Sequence, residues 1–275
     1  MAEENKSVLR FEDVSIAFEG EPALQNFNLE MLAGETRIVF GAAGSGKSVM
    51  LKLALGLLKP DSGRIFLFGQ DVTKVEEHDL YEIRHRIGML FQEGALFDSM
   101  TIEENVSYPL LFQGTRMKPG VNGGVPEKVR EVLRFVELEH TLEKFPSELS
   151  GGMRRRVGIA RAAVTEPPLI LYDSPTAGLD PITANTIISL IIKNRDTKNT
   201  TSAIVTHRYQ DGHLLANFRY NPDSGQMEPM SPRERDAART TFMVLKEGKL
   251  VFEGPQRELE SAKDPYVAKF KSVKE

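Results

Sequence analysis

The sequence predicts an α/β fold with a mostly parallel sheet, an N-terminal antiparallel β subdomain and an inserted α-helical subdomain. Continuous apolar runs of strand length at 36–40 and 169–172 are each followed by a helical pattern, which is typical of parallel strands covered on both faces. Segments of alternating polarity at 8–18 and 24–31 predict the antiparallel subdomain. Between about 93 and 166 apolar residues recur at helical spacing, which predicts the inserted lobe.

The remaining segments are consistent with alternating strands and helices. The sequence predicts further strands at 64–68, 87–91, 201–206, 242–245 and 249–252, the last two forming a closing hairpin. It predicts helices at 48–58, 79–86, 150–164 and from Asp180 onward, where Asp180 is the N-cap and Pro181 the first helical residue. The helix after Asp180 should bury a stripe at spacings of three and four, formed by Ala184, Ile187, Ile188, Ile191 and Ile192.

A phosphate-binding loop connects the first apolar strand to its helix. Residues 41–48 are G-A-A-G-S-G-K-S and match the pattern G-x-x-x-x-G-K-[ST] in the required strand–loop–helix context. Glycines let backbone N–H groups surround phosphate oxygens, and the helix N-terminus adds its positive dipole end. Lys47 is expected to reach the β- and γ-phosphates, and the Ser48 hydroxyl to hold Mg²⁺. The predicted nucleotide-binding residues are Gly41, Ala42, Ala43, Gly44, Ser45, Gly46, Lys47, Ser48 and Val49.

Polar residues follow three other predicted strands. Gln92 follows the strand at 87–91, Asp173 follows the run at 169–172, and His207 follows the strand at 201–206. Because the carboxyl ends of parallel strands meet at one edge of a sheet, we expect these side chains beside the phosphate loop. Asp173 is expected to hold Mg²⁺ through its water shell, Gln92 to reach the metal or the attacking water, and His207 to contact the γ-phosphate.

A second anion site is predicted at the start of the helix at 150–164. The Ser150 hydroxyl and the N–H groups of Gly151 and Gly152 would face an anion at a helix N-terminus. Two phosphate sites on different lobes predict a twofold head-to-tail dimer, in which each subunit covers the nucleotide of the other. The alternative is a plain helix with serine at the N-cap, which explains Ser150 but not the two glycines.

Composition excludes several classes of protein. The 275 residues, 40% of them hydrophobic, suffice for one large α/β domain or two small ones. The net charge of −4 indicates no nucleic-acid surface, and the lack of cysteine excludes disulfides and thiolate metal sites. The polar, acidic start is not typical of a signal peptide, and no apolar run is long enough to span a bilayer. Any membrane role is therefore expected to come through a partner.

Three segments leave alternatives open. Phe18 precedes a turn, where its ring could stack on adenine or simply belong to a strand core. Residues 114–125, rich in glycine, proline and lysine, predict a mobile loop between helices. Residues 221–239 are polar and rich in turn formers, which predicts a solvated surface loop or a disordered insertion, with partner docking as a less favoured alternative.

The ordered set of motifs resembles the ATPase subunit of an ABC transporter, which has a P-loop NTPase core. The set comprises Walker A at 41–48, Gln92, the signature L-S-G-G at 149–152, Walker B at 169–173, A-G-L-D at 177–180 and His207. The resemblance covers nearly the whole chain. The segment F-Q-E-G-A-L-F-D-S-M-T at 91–101, and a signature that ends in Met153 and continues with three arginines, are similar to the Mla/MCE-associated lipid-transport ATPases.

The resemblance implies a single ATPase domain over 1–275 that uses ATP and Mg²⁺. It implies a catalytic core with its β subdomain at about 1–92 and 167–275, and a helical subdomain at about 93–166. Phe18 would stack on adenine, while Ser150, Gly151, Gly152 and Asp180 would act across the interface of a homodimer.

The resemblance also implies partners and a location. An integral membrane permease would insert a helix beside the Gln92 loop, in a groove for which Leu96, Phe97, Met100 and Ile102 are candidates, unless they form the core of the lobe. MCE-domain proteins, phospholipid cargo and a peripheral position on the cytoplasmic side of the bacterial inner membrane follow from the same resemblance.

Ser174 departs from the family pattern, because that position usually holds a glutamate that polarises the attacking water. A serine hydroxyl cannot hold the water's proton at neutral pH, and general-base help is worth about 10²–10⁴-fold in rate. Three explanations remain open: a trapped variant, a natural ATPase that is slow or uses a substitute base such as His207 or a neighbouring acid, and a degenerate subunit that clamps ATP. Our hypothesis is a natural ATPase with weakened or rerouted water activation. The alternative class is a soluble ABC ATPase without a permease.

Overall fold

The computed structural model describes residues 6–112 and 126–271, so the predicted loop at 114–125 lies outside the described residues. The strands are β1 (Ser7–Phe18), β2 (Glu21–Leu32), β3 (Thr36–Gly41), β4 (Ser62–Leu67), β5 (Gln70–Asp71), β6 (Ile87–Leu90), β7 (Leu169–Asp173), β8 (Thr201–Val205), β9 (Phe218–Asn221), β10 (Gln226–Pro229), β11 (Thr240–Lys246) and β12 (Lys249–Gly254). The α-helices are α1 (Lys47–Ala54), α2 (Glu77–Arg84), α3 (Ile102–Ser107), α4 (Glu127–Phe135), α5 (Gly151–Ala163), α6 (Pro181–Lys198), α7 (Tyr209–Asn217), α8 (Pro232–Ala237) and α9 (Gln256–Ser261). Short 3₁₀ helices lie at Tyr108–Phe112, Glu139–Thr141, Pro146–Glu148 and Val267–Phe270.

The main sheet confirms the predicted parallel core. Its six strands have the order β12-β11-β3-β8-β7-β6, and every neighbouring pair is parallel except β11 with β12. All residues of β3 are buried, as expected for a central strand covered on both faces. The predicted closing hairpin, β11 with β12, joins this sheet because β11 pairs with β3, and β12 is one edge strand.

The predicted antiparallel β subdomain is also confirmed. A second sheet has the order β2-β1-β4-β5, and its neighbouring strands are all antiparallel. One face of β1 and β2 is buried and includes Phe11 and Phe27, whose rings meet edge to face at 5.4 Å. This second sheet packs over α1, because one buried cluster contains its apolar face together with Met50 and Leu53 of that helix.

The inserted segment is helical, as its apolar spacing predicts. Five of the six periodic positions in α3, α4 and their flanks are completely buried, and Val132 is partly buried; the five are Ile102, Val106, Val129, Leu133 and Val136. Thr101 and Glu104 form a capping box that starts α3. These residues share one core with α5 and the main sheet. The exact bounds proposed for the subdomains stay a prediction.

The start and the stripe of α6 agree with the sequence. The Asp180 carboxylate accepts hydrogen bonds from the N–H groups of Ile182 and Thr183, both at 3.0 Å, and Pro181 is the first helical residue. The predicted apolar stripe is buried.

The helix predicted at 48–58 is shorter in the structure. It already ends at Ala54, where the chain turns toward Gly56 with φ of 65°. None of the helices in the described ranges is both long and apolar enough to cross a membrane.

Residues 221–239 are mostly exposed, as predicted for a solvated surface segment, but they are folded, so the prediction of an irregular loop or a disordered insertion is wrong. Strands β9 and β10 form an antiparallel hairpin, and α8 follows with a capping box between Ser231 and Glu234. Two residues of α6 anchor the hairpin through its main chain. Arg195 donates to the Phe218 carbonyl at 2.9 Å, and Asp196 accepts from the Tyr220 N–H at 2.7 Å. The segment is polar because only one side of it packs on the core. A role in partner docking stays a hypothesis.

We expect Leu133→Ala to lower the free energy of unfolding by about 2–5 kcal/mol, because Leu133 is completely buried in the core of the helical lobe. Leu57→Ala is the matched control, since Leu57 is 51% exposed and its truncation should cost no more than about 0.5 kcal/mol. Urea unfolding followed by circular dichroism measures both. Equal costs for the two variants would contradict the assigned core.

Candidate nucleotide-binding site

The carboxyl ends of β3, β6, β7 and β8 open onto one cleft of about 450 Å³. The structure brings together most of the residues that the sequence singles out: Gly41, Ala43, Gly44, Ser45, Gly46, Lys47, Ser48, Val49, Gln92, Asp173, Ser174 and His207. Ala23, Val205 and Thr206 complete the lining. Residues more than 150 positions apart in the chain thus converge because parallel strands end at the same edge.

The phosphate loop is held in a compact turn at the start of α1. The Ser45 N–H donates to the Ala42 carbonyl at 3.2 Å, and the Gly46 carbonyl accepts from the Met50 N–H at 2.9 Å. Gly46 has φ of 102°, and a Cβ at this position would lie 2.5 Å from the Ala23 carbonyl oxygen. Only glycine fits here, since both the backbone angle and the close approach exclude a side chain.

Lys47 folds back over its own loop. Its Nζ donates to the carbonyl oxygens of Gly41 at 2.8 Å and Ala42 at 2.7 Å, and to the Ser45 hydroxyl at 3.1 Å. Partial burial lowers the pKa of Lys47, while the nearby Asp173 carboxylate acts in the opposite direction. The ammonium is thus placed at the mouth of the loop, where a phosphate oxygen can replace the neutral carbonyls as a stronger, charge-assisted partner.

Ser48 and Asp173 place hard oxygen ligands beside Lys47. The Ser48 hydroxyl donates to Asp173 Oδ2 at 3.1 Å, and the Ser174 hydroxyl donates to Asp173 Oδ1 at 3.1 Å. Hydroxyl and carboxylate oxygens are the ligands that Mg²⁺ prefers, and this ion commonly keeps several waters while binding substrate phosphates. The residues present therefore fit Mg²⁺, with Ser48 and Asp173 as its protein contacts.

Ser174 lies where its side chain faces the cleft. Its backbone is left-handed with φ of 50°, and its N–H donates to the Val205 carbonyl at 2.9 Å. Its carbonyl accepts from the Ala177 N–H at 3.1 Å, which starts the turn toward Asp180. Among the described residues that line the cleft, Asp173 is the one carboxylate, and His207 is the one imidazole.

Sequence reasoning missed the arginines of α5 as structural links to this site. The Arg155 guanidinium donates to the Gln92 carbonyl at 2.9 Å and also to the Ala177 carbonyl. Arg161 donates to the carbonyls of Gly94 at 2.7 Å and Ala95 at 2.9 Å. Burial lowers the pKa of both arginines. The three consecutive arginines after Met153, which include Arg155, were the available signal, but which carbonyls Arg155 and Arg161 bind is set by tertiary packing.

The predicted second anion site lies outside the cleft of its own chain. Ser150 is the N-cap of α5, and its hydroxyl accepts from the Met153 N–H at 3.3 Å. Gly152 has a packing explanation, because its Cβ would lie 2.5 Å from Thr183 Cγ2 on α6. Gly151 has no packing explanation, since a Cβ there would meet only the end of the Arg154 side chain, at 3.9 Å. Ordinary capping and packing thus leave Gly151 unexplained, and the action of these residues and Asp180 across a dimer stays a prediction.

Two further predicted residues do not line the cleft. Phe18 is 45% exposed at the end of β1, so its ring is accessible, and adenine stacking stays a prediction. The Ala42 N–H donates to the Tyr266 hydroxyl at 3.1 Å, and that hydroxyl donates to the Leu245 carbonyl at 3.1 Å. This N–H is therefore bound by the protein itself.

A separate groove of about 410 Å³ lies between the helical lobe and β6. Its lining includes Met89, Phe91, Phe97, Tyr108 and Arg161. Phe91 and Phe97 are 38% and 41% exposed, and the rings of Phe97 and Tyr108 are 4.9 Å apart.

The four candidate groove residues divide between this groove and the core. Phe97 lines the groove. Ile102 is completely buried and Leu96 packs against the main core. Both therefore belong to the core of the lobe, which was the alternative to a place in the groove. Met100 is half-buried and is not among the lining residues.

The fold and the cleft together define a P-loop nucleotide-binding domain. The family model described as "ABC transporter" matches residues 24–177, which is more than half of the chain. The chain therefore belongs to the ABC transporter family, as an ATPase domain.

Relatives and solved structures agree with this assignment. The chain is 35% identical over 216 residues to the intermembrane phospholipid transport system ATP-binding protein MlaF of Haemophilus influenzae, covering 78% of this chain and 80% of MlaF. It is 42% identical over 183 residues to the probable ribonucleotide transport ATP-binding protein Mkl of Mycobacterium leprae, covering 66% of this chain and 52% of Mkl, so it spans about half the length of that relative. The ATP-binding cassette MJ0796, solved as a dimer in a post-hydrolysis state with ADP and Pi, superimposes with a TM-score of 0.72 at 29% identity, covering 90% and 98% of the two chains. The similarity to MlaF supports the Mla-like resemblance of the sequence.

We expect Lys47→Met to weaken Mg-ATP binding by about 10–100-fold, because hydrogen bonds to charged groups are worth about 1.5–3 kcal/mol. Lys52→Met on the exposed side of the same helix is the matched control and should bind like the wild type. Equilibrium titration with a fluorescent ATP analogue measures both. Unchanged affinity in Lys47→Met would show that the loop is not the phosphate site.

Proposed function

We propose that two copies of this chain close head to tail on two Mg-ATP and power a membrane permease. The observation that carries the proposal is the convergence of Lys47, Ser48, Gln92, Asp173 and His207 on one cleft at the carboxyl edge of the sheet. Phosphoryl transfer depends mainly on positioning and charge neutralisation, and these are the residue types that supply both.

Each residue of the cleft has a role in this proposal. Lys47 and the loop amides bind the β- and γ-phosphates, while Ser48 and Asp173 hold Mg²⁺. Bound Mg²⁺ would neutralise charge between the two phosphates. Gln92 orients the attacking water or contacts the metal, and His207 contacts the γ-phosphate from the neighbouring strand end.

The partner subunit would close the cleft with its signature helix. Ser150, Gly151 and Gly152 would donate to the γ-phosphate from the N-terminus of α5, and Asp180 would cross the interface. Two observations support this arrangement: these residues lie away from the cleft of their own chain, and the packing around Gly151 does not require a glycine, because a Cβ there would meet only the end of Arg154 at 3.9 Å. The dimeric structure of MJ0796 is further support.

We further propose phospholipid as cargo, with an integral permease and an MCE-domain protein in the same assembly. The similarity to MlaF supports this cargo, because the match extends over most of both chains. The groove with the exposed rings of Phe91 and Phe97 is the surface we assign to the permease. The chain would then lie peripherally on the cytoplasmic side of the bacterial inner membrane.

The alternative class is a soluble ABC ATPase without a permease. The groove that exposes the rings of Phe91 and Phe97 disfavours it, because aromatic side chains are enriched at the surfaces where proteins bind partners.

In a pull-down from detergent-solubilised membranes, we expect the wild-type chain to retain an integral membrane protein. Phe97→Glu should reduce the recovery severalfold, because it places a charge in the groove. Val251→Glu, at a site 43% exposed on β12, is the control and should retain the partner. Purification of the wild type free of any membrane protein would favour the soluble alternative.

Ser174 determines how fast we expect this ATPase to work. We expect Ser174→Glu to raise steady-state turnover of the assembled complex, by up to about 10²–10⁴-fold, because a carboxylate would face the cleft as a general base. Ser174→Gln is the control, since glutamine has nearly the same shape as glutamate but lacks the basic carboxylate. If glutamate brings no increase, Ser174 is not the deficit and another group activates the water. Negligible hydrolysis in every variant, with intact ATP binding, would indicate a degenerate subunit that clamps ATP without hydrolysing it.

A further inference from the structure

A buried carboxylate lies behind the cleft and has no role in the mechanism so far. Asp211, on α7, is 1% exposed. Its Oδ2 accepts hydrogen bonds from the hydroxyls of Thr176 at 2.5 Å and Thr206 at 2.6 Å, and both threonines are also 1% exposed. Burial raises the pKa of Asp211, and the two hydroxyl donors act against that shift.

The two threonines belong to different loops of the proposed catalytic machinery. Thr176 lies in the turn between Ser174 and Asp180, directly after β7. Thr206 follows β8 and immediately precedes His207. One carboxylate oxygen therefore joins the segment that presents Ser174 and Asp180 to the segment that presents His207.

The loop at His207 is linked to Asp211 mainly through Thr206, because Asp211 Oδ1 accepts no hydrogen bond from the described residues. Arg208 Nε lies 3.8 Å from Asp211 Oδ1, and the Arg208 N–H donates to the Thr206 hydroxyl at 3.1 Å. Thr206 is thus both a donor to Asp211 and an acceptor from the residue after His207. The backbone on either side of His207 is held from one point on α7.

Burying a carboxylate costs free energy, and the hydrogen bonds from Thr176 and Thr206 offset that cost. A single acceptor oxygen shared by two loops also fixes the distance between them, which an apolar contact cannot do with the same directionality.

We propose that Asp211 is a positioning residue that couples the loop at 174–180 to the loop at His207, so that the two loops respond to nucleotide as one unit. The proposal rests on the proposed function, which gives Ser174, Asp180 and His207 their roles. Without the shared acceptor, His207 and Asp180 would reach their partners independently, and fewer molecules would have both in place at once. Because misplacement of a reacting group by about 1 Å can cost about 10²-fold in rate, a loss of coupling should be measurable.

The experiment is a double-mutant cycle on the full-length chain. Thr176→Val and Thr206→Val each keep the side-chain shape and remove one hydroxyl donor, and the double variant removes both. Thr176→Ser and Thr206→Ser restore the hydroxyl. Thr197→Val is the matched control, because the Thr197 hydroxyl is exposed on α6 and bonds only within its own helix.

Three quantities are measured for every variant: the Kd for a fluorescent ATP analogue with Mg²⁺, the single-turnover rate of hydrolysis, and Mg-ATP-driven dimerisation by analytical ultracentrifugation. We expect each valine variant to lower hydrolysis about tenfold with Kd changed less than about threefold, since the phosphate loop is untouched. The double variant should lose little more than either single variant, because the coupling is already broken. The serine variants and Thr197→Val should behave like the wild type.

Other outcomes overturn the coupling. Additive losses in the double variant would mean that the two hydroxyls act separately, and wild-type hydrolysis and dimerisation in both valine variants would mean that they do not act at all. If the serine variants do not restore activity and the melting temperature is also lower, the two threonines have only a packing role. A wild-type chain that neither binds nor hydrolyses ATP would instead refute the proposed function, which keeps the two failures distinguishable.

Discussion

Main-chain hydrogen bonds between β3, β8, β7 and β6 set the relative positions of the loops around the cleft. The parallel register places Val39 beside Val205 and Asp173 beside Val205, so β7 and β8 end side by side and β3 ends two residues further on. Because β3 is buried along its whole length, this register is fixed by the core and cannot slip without exposing apolar residues. The phosphate loop, Asp173 and His207 therefore need no contact with one another to be correctly spaced.

The contacts of α5 extend this constraint to the helical lobe. Arg155 binds the main-chain carbonyls of Gln92 and Ala177, so one side chain spans the loop after β6 and the loop after β7. The same helix has Ser150 as its N-cap and packs against α6 through Gly152 and Thr183. Helix α5 therefore connects the helical lobe to the edge of the cleft by direct contacts at two places.

The parts of this molecule that the sequence predicts are those with a local or periodic signal. The phosphate loop, the buried strands, the Asp180 cap and the stripe of α6 depend on residues close together in the chain, and the structure agrees with them. The hairpin β9–β10 could not be recognised in this way, because its polar residues face outward and its anchors, Arg195 and Asp196, belong to a helix elsewhere in the sequence. Asp211 was missed for the same reason, since its meaning lies in two threonines that only the fold brings together.

Tyr266 shows how far from the phosphate loop its support can originate. Its hydroxyl lies between the Ala42 N–H, 224 positions earlier in the chain, and the Leu245 carbonyl, and the neighbouring Phe270 stacks on Phe40 with ring centroids 5.8 Å apart. Removal of Tyr266 would therefore leave the Ala42 N–H without this acceptor, so a variant changed far from the phosphate loop can still alter the loop's internal hydrogen bonding.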